Sequence, residues 1–203
     1  MTSADSTHED LRYVRQLAES GAHAPLLGGR FMAWWGILLT AAYISHHLAL
    51  TGAIGDGKRI FAIVWIGFSV LGIIGQLVLA RSMPAKAGAG SAGNRATRTV
   101  WLAAAAAIGS MVAGCMAAAG AGAGPATFDW IVPVAFAVYA CALVVTGSLA
   151  RSRPTVVAGV GAGIMVGLFT ALILSPDRYL VAAAGVALTV LLPGLVLLRA
   201  EPR

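Results

Sequence analysis

Six long apolar runs constrain this chain more than any other feature of its sequence. No Asp, Glu, Lys or Arg interrupts them, and they show no strand-type alternation that would indicate a lipid-facing barrel. A helix that crosses the hydrocarbon core of a bilayer needs about 20 mainly apolar residues. The sequence therefore predicts an all-α integral membrane protein with six transmembrane helices. Their approximate ranges are 31–50, 60–80, 99–119, 130–150, 155–175 and 179–198.

The composition excludes an ordinary soluble domain. The chain is 59% hydrophobic and 11% charged, whereas a soluble domain carries about a quarter charged residues. The net charge of +6 does not indicate nucleic acid, because the basic residues stand at the ends of the apolar runs. The predicted partner is therefore the lipid bilayer, and no nucleic acid is expected.

The basic residues also predict an orientation. With a cytoplasmic N-terminus, eleven basic residues fall on the inner side and three on the outer side. Such a bias follows the positive-inside rule, so both termini are assigned to the cytoplasm of a bacterial inner (plasma) membrane. The inner set is Arg12, Arg15, Arg30, Arg81, Lys86, Arg95, Arg98, Arg151, Arg153, Arg199 and Arg203, and the outer set is Lys58, Arg59 and Arg178.

Three similar motifs end the even-numbered helices: LARSMP at 79–84, LARSRP at 149–154 and LLRAEP at 197–202. They divide the chain into three tandem hairpins, which are either a true internal repeat or the result of positive-inside selection alone. The plan resembles that of several unrelated small bacterial membrane proteins, and this architectural similarity implies no activity. The predicted units are an N-terminal segment at 1–29, hairpins at 30–81, 99–152 and 153–203, and a flexible basic cytoplasmic linker at 82–98.

The N-terminal segment has the pattern of a short amphipathic helix. Ser6 and Glu9 have the spacing of a capping box, and Leu11, Val14 and Leu17 form a narrow apolar stripe. We expect this helix to lie along the inner membrane face. Docking of a cytoplasmic protein partner is the alternative role.

Each predicted helix carries a stripe of small and polar residues. In a membrane such stripes pack helices together, as expected for Gly159, Gly163 and Gly167 in the fifth helix. The alternative is a narrow wet path lined by the polar side chains. The candidates for such a polar interior or pore are Thr40, Tyr43, His47, Ser69, Ser110, Tyr139 and Thr189.

Two adjacent histidines are the only ionisable residues well inside a predicted span, and such residues suggest function. His47 continues the face of Thr40 and Tyr43, so it is expected to point inward near the outer mouth. His46 shares a face with Trp35 and Leu39, so it is expected to point to lipid or to snorkel outward. Both histidines are also compatible with a plain interfacial role.

No catalytic, cofactor or metal motif is present in the sequence. Cys115 and Cys141 lie at different predicted depths, which favours two free thiols. The sequence therefore predicts a non-enzymatic membrane protein that acts through protein or lipid contacts, with a homo-oligomer left open. The alternative is a small channel or carrier for a small neutral solute or protons.

Overall fold

A computed structural model of the chain describes residues 26–55, 57–82 and 88–201. Within these ranges every regular element is a helix and no strand is present. The whole of the predicted amphipathic helix, Asp56 and part of the predicted linker lie outside the described residues. The helices are α1 (Gly29–Leu50), α2 (Gly57–Arg81), α3 (Ala92–Gly120), α4 (Ile131–Leu149), α5 (Arg153–Ala171), α6 (Arg178–Val186) and α7 (Leu192–Ala200).

Five helical stretches of the described chain are long and apolar enough to cross a membrane. They agree with the expected all-helical membrane class. The helix α1 is not among the five, because two tryptophans, one tyrosine and two histidines replace aliphatic residues in it. The five stretches are Arg59–Arg81, Ala92–Gly120, Pro125–Leu149, Arg153–Ala171 and Arg178–Ala200.

The helix α1 is nevertheless central to the described bundle. It packs against α2 on one side and against α6 and α7 on the other. Beyond them follow α5, then α4 and finally α3, so that α2 and α3 lie at opposite edges. The two most extensive helix contacts join α1 to residues 178–200 and α4 to α5, and each joins two different predicted hairpins. The largest contacts in the described bundle therefore lie between helices of different predicted hairpins, and not between the two helices of one hairpin.

Two tryptophans of α1 fix its contact with α2. The rings of Trp34 and Trp35 lie directly over Gly75 and Gly72, where any side chain would collide with them. The indole nitrogen of Trp35 also donates a hydrogen bond to Gln76 at 2.9 Å. The glycines of α2 thus make room for the large aromatic rings, which is a common way for helices to approach each other in lipid.

The helix α3 begins inside the segment that was predicted as a flexible linker. Ser91 is its N-cap, and the Ser91 hydroxyl accepts a hydrogen bond from the Asn94 backbone at 3.2 Å. Asn94 is buried and accepts a hydrogen bond from the Leu27 backbone at 2.9 Å. The expectation of a flexible linker is therefore wrong for residues 92–98. The apolar pattern missed these residues because the first turns of α3 are polar and are held by capping.

A single π-helical turn at Ala187–Leu191 connects α6 and α7 into one C-terminal helix, Arg178–Ala200. Its backbone bond runs from the Leu192 N–H to the Ala187 carbonyl. Pro193 follows directly and has no N–H to donate, and its ring would collide with a carbonyl four residues back in a regular α-helix. The wider turn relieves that collision, which is a known cause of π-bulges and kinks.

One end of the bundle, here called the basic end, contains seven of the nine arginines in the described ranges: Arg30, Arg81, Arg95, Arg98, Arg151, Arg153 and Arg199. There Arg30 pairs with Glu201 at 2.7 Å, and the Glu201 side chain is only 2% exposed. The second carboxylate oxygen of Glu201 accepts from the Gly29 backbone at 3.0 Å. Arg30 also donates to Ser82 at 3.0 Å. The start of α1 is thus joined to the ends of α7 and α2.

Candidate functional site

The opposite end of α1, here called the histidine end, carries the adjacent His46 and His47. His47 is buried on the side of α1 that faces the C-terminal helix. Its Nδ1 lies 3.2 Å from the Pro176 carbonyl oxygen, which can only accept, so this nitrogen carries the proton and donates. Its Nε2 lies 4.0 Å from an Asp177 carboxylate that is 66% exposed, so water screens this pairing.

The expectation that His46 points to lipid is wrong. Its ring stacks on Tyr179 with a centroid distance of 3.7 Å and lies 4.4 Å from the ring of Phe61. Its Nδ1 accepts a hydrogen bond from the indole nitrogen of Trp65 at 3.0 Å. Neutral His46 therefore carries its proton on Nε2. Helical periodicity separated the two histidines correctly but could not show that α2 and α6 cover the side of His46.

An ion pair lies next to this aromatic cluster. Arg178 contacts the Asp129 carboxylate at 3.3 Å, and the Tyr179 hydroxyl donates to the same carboxylate at 2.5 Å. Both charged side chains are largely buried, at 16% and 13% exposed. The pair joins the short 3₁₀ helix before α4 to the start of the C-terminal helix.

Sequence reasoning missed this ion pair. It placed Arg178 on the outer side and assigned it no acidic partner. The sequence did contain a signal for it, because Asp129 and Arg178 both stand at predicted outer ends of helices, next to long apolar runs. Spacing along the sequence cannot show that the two meet.

The seven predicted polar-interior residues do not line one path in the described structure. Tyr43, His47 and Thr189 are buried, and Thr40 and Tyr139 are partly buried. Ser69 and Ser110 are exposed on the surfaces of α2 and α3, which are the two edge helices. The structure therefore packs α1, with Thr40, Tyr43 and His47, against the C-terminal helix, and it places Tyr139 of α4 against the same core cluster as Tyr43.

The interface between α1 and the C-terminal helix is closely packed. A methyl group added at Gly36 would lie 2.7 Å from the Leu191 Cα, and one added at Gly194 would lie 2.7 Å from the Ala33 backbone nitrogen. Thr189 uses its hydroxyl within its own helix, donating to the Gly185 carbonyl at 2.7 Å. Backbones in direct contact leave no room for a water-filled path at this depth.

Thr40 lies on the same face of α1, between Gly36 and His47. Its hydroxyl oxygen is buried and has no hydrogen-bond partner in the described structure. The face that it shares packs against the π-helical turn. An unpaired hydroxyl is therefore present on the α1 side of this interface.

The three glycines expected to pack α5 differ in their surroundings. A methyl group at Gly159 would lie 2.9 Å from the Val144 backbone nitrogen, so α4 and α5 touch closely there. One at Gly163 would make an ordinary contact of 3.8 Å with Ala140, and one at Gly167 would meet nothing within 4 Å. A close approach is therefore found at Gly159 alone of the three.

The described residues contain no group of three or more His, Cys, Asp or Glu side chains that could hold a metal ion. Cys115 is buried and its thiol donates to the Thr127 carbonyl at 3.4 Å, while Cys141 is exposed. The polar groups of the histidine end mainly satisfy one another. This arrangement joins α1, α2, the 3₁₀ helix and α6 into one unit.

Comparisons with protein-family models, with curated proteins and with solved structures give no match for this chain.

Proposed function

We propose that the chain is a six-span membrane protein without enzymatic activity, which acts through contacts with lipid or with other proteins. The observation that supports it most is the close backbone contact between α1 and the C-terminal helix at Gly36 and Gly194. That interface contains four of the seven predicted polar-interior residues, and close backbone packing next to them supports a role for this face in holding the helices together. The N-terminal segment is the proposed docking site for a cytoplasmic protein.

Although α1 is not among the five apolar stretches, we propose it as the sixth span. It is 22 residues long, which corresponds to about 33 Å of helix. Its polar groups at the histidine end are turned towards other helices and hydrogen-bonded there. Buried pairing of this kind removes much of the cost of placing polar side chains within a bilayer.

The proposed orientation places the basic end in the cytoplasm of a bacterial inner membrane. Two positions test it in a background with both native cysteines replaced by alanine. Leu174→Cys lies at the histidine end, where Leu174 is 95% exposed, and Gly90→Cys lies at the basic end, where an added side chain meets nothing within 4 Å. An impermeant maleimide added to intact cells should label the first and should label the second only after lysis. The reverse pattern would overturn the orientation.

The second candidate function is a small channel or carrier for protons or a small neutral solute. The unpaired hydroxyl of Thr40, opposite the π-helical turn, is the observation that favours it. Reconstituted vesicles with a pH-sensitive dye inside decide between the two functions. The contact-based proposal expects proton flux no faster than in protein-free vesicles. Flux that is present in the wild type and lost in His47→Ala would replace it with the channel.

A further inference from the structure

We infer that the turn between α4 and α5, together with the outer face of α5, binds an anionic phospholipid. The inference rests on the proposed function in one respect, which is that the basic end lies at a membrane surface. The headgroup would contact Arg151 and Arg153, and one acyl chain would lie along Val157, Val160 and Ile164.

The outer face of α5 has the pattern of a lipid contact. Arg153 begins the helix, and Val157, Val160 and Ile164 follow it at spacings of 4, 3 and 4, which keeps all four on one face. The three aliphatic side chains are 69%, 57% and 66% exposed, and Arg153 is exposed as well. The eleven steps of helical rise from Arg153 to Ile164 cover about 16 Å of helix, close to the depth of one leaflet of the hydrocarbon core. This set of four residues is called the α5 strip below.

A second arginine stands beside the α5 strip. Arg151 occupies the turn between α4 and α5 with a φ of 51°, and its side chain is exposed. In the described structure neither Arg151 nor Arg153 forms an ion pair or a hydrogen bond through its guanidinium group. Two unpaired guanidinium groups two residues apart match the charge and the hydrogen-bonding capacity of a phosphate group.

The charge of the basic end selects an anionic lipid over a neutral one. Six of its arginines are exposed, whereas its single acidic residue in the described ranges, Glu201, is buried and paired with Arg30. An excess of positive charge at a bilayer surface attracts anionic headgroups. No carboxylate of the described chain is placed to compete for the two arginines of the turn.

The same register recurs at the ends of two other helices, where it starts from the arginines of two of the repeated motifs. On the same face of α2, Arg81 is preceded by Leu77, Ile74 and Val70, which are 58%, 53% and 50% exposed. On one face of the C-terminal helix, Arg199 is preceded at the same spacing by Leu195, Leu192 and Leu188, which are 39%, 54% and 64% exposed. Arg59 begins a similar strip from the histidine end of α2. The spacing therefore predicts lipid contact in general, and the paired arginines single out the α4–α5 turn for an anionic headgroup.

Arg98 provides a matched control. It is exposed at the same basic end, but the face that it begins continues through Leu102 to Ala105 and Gly109, so it lacks an aliphatic strip. A general attraction between arginines and anionic lipid would make Arg98 and Arg153 equivalent. A specific lipid-binding site at the α5 strip makes the contribution of Arg153 to lipid binding larger than that of Arg98.

The test is native mass spectrometry of the full-length protein in detergent, titrated with phosphatidylglycerol or phosphatidylcholine. We expect phosphatidylglycerol to bind the wild type more tightly than phosphatidylcholine. Arg153→Gln should weaken phosphatidylglycerol binding about tenfold, and the double change with Arg151→Gln about 100-fold, since each direct hydrogen bond to a charged phosphate contributes a factor of roughly ten or more. Arg98→Gln should change it less than twofold, and glycerol phosphate should not displace the lipid.

Four results would overturn the inference. They are equal binding of the two lipids, equal effects of Arg153→Gln and Arg98→Gln, displacement of the lipid by glycerol phosphate, and a loss of dimer without a loss of lipid in Arg153→Gln. The third would indicate a site for a soluble phosphate, and the fourth a second copy of the chain on the α5 strip. Since the maleimide experiment tests orientation separately, failure of the lipid site and failure of the proposed topology are distinguishable.

Discussion

The close contact between α1 and the C-terminal helix leads to a quantitative prediction for Gly36→Ala. The added methyl group would lie 2.7 Å from the Leu191 Cα, 2.8 Å from its Cβ and 2.9 Å from its backbone nitrogen. Non-bonded carbon atoms prefer separations of about 3.5–4.0 Å, so the two helices would have to move apart by roughly 1 Å. Two of the three atoms belong to the backbone, so a change of side-chain rotamer cannot relieve the collision. Overpacking of this kind typically costs about 1–3 kcal/mol.

Gly109→Ala is the matched control for this substitution. Gly109 lies within α3, and a methyl group there would meet nothing within 4 Å. Both changes replace a glycine inside a helix, so the gain of about 1 kcal/mol in helix propensity is common to both and cancels in the comparison. The difference between the two variants therefore isolates the collision with Leu191.

Thermal unfolding in detergent, followed by tryptophan fluorescence, measures this difference. For a difference of about 2 kcal/mol we expect Gly36→Ala to unfold about 4–8 °C below Gly109→Ala. If the two variants unfold within one degree of each other, the helices are not in contact at Gly36. The packing argument against a wet path at this interface would then fail as well.

Two further predictions concern the polar contacts at the two ends of the bundle. Glu201→Ala leaves the Arg30 guanidinium largely buried without its partner, so we expect a loss of about 3–5 kcal/mol in unfolding free energy. Arg199→Ala at an exposed position should change it by less than about 0.5 kcal/mol. Similar losses for the two variants in a denaturant titration would argue against a stabilising role of the Arg30–Glu201 pair. His46→Ala leaves the Trp65 indole N–H without its acceptor and should destabilise by about 1–3 kcal/mol, accompanied by a change in the near-ultraviolet circular dichroism of the tryptophan. His46→Phe keeps the stacking but not the acceptor, so it should recover only part of the loss, and full recovery would show that the hydrogen bond contributes nothing.

The sequence by itself determined the helical class and the approximate positions of the helices. Hydrophobic length is a local property, because a backbone in lipid must satisfy its hydrogen bonds within each segment. The predicted runs that end at residues 50 and 80 therefore agree closely with α1 and α2, which end at Leu50 and Arg81. The inward position of His47 followed from the same local periodicity. The early start of α3 was missed because capping at Ser91, rather than hydrophobicity, begins that helix.

Only the tertiary structure decided which helices meet. Periodicity assigns a residue to a face of its helix but does not say what covers that face, so His46 was placed towards lipid although α2 and α6 enclose it. The pairing of Asp129 with Arg178 and of Arg30 with Glu201 joins residues far apart in the chain, and no spacing rule connects them. Likewise, small-residue stripes occur on every helix, but close approach at Gly36 and Gly159 depends on the positions of neighbouring backbones. Contacts between helices depend on their arrangement in three dimensions, which local patterns along the sequence do not specify.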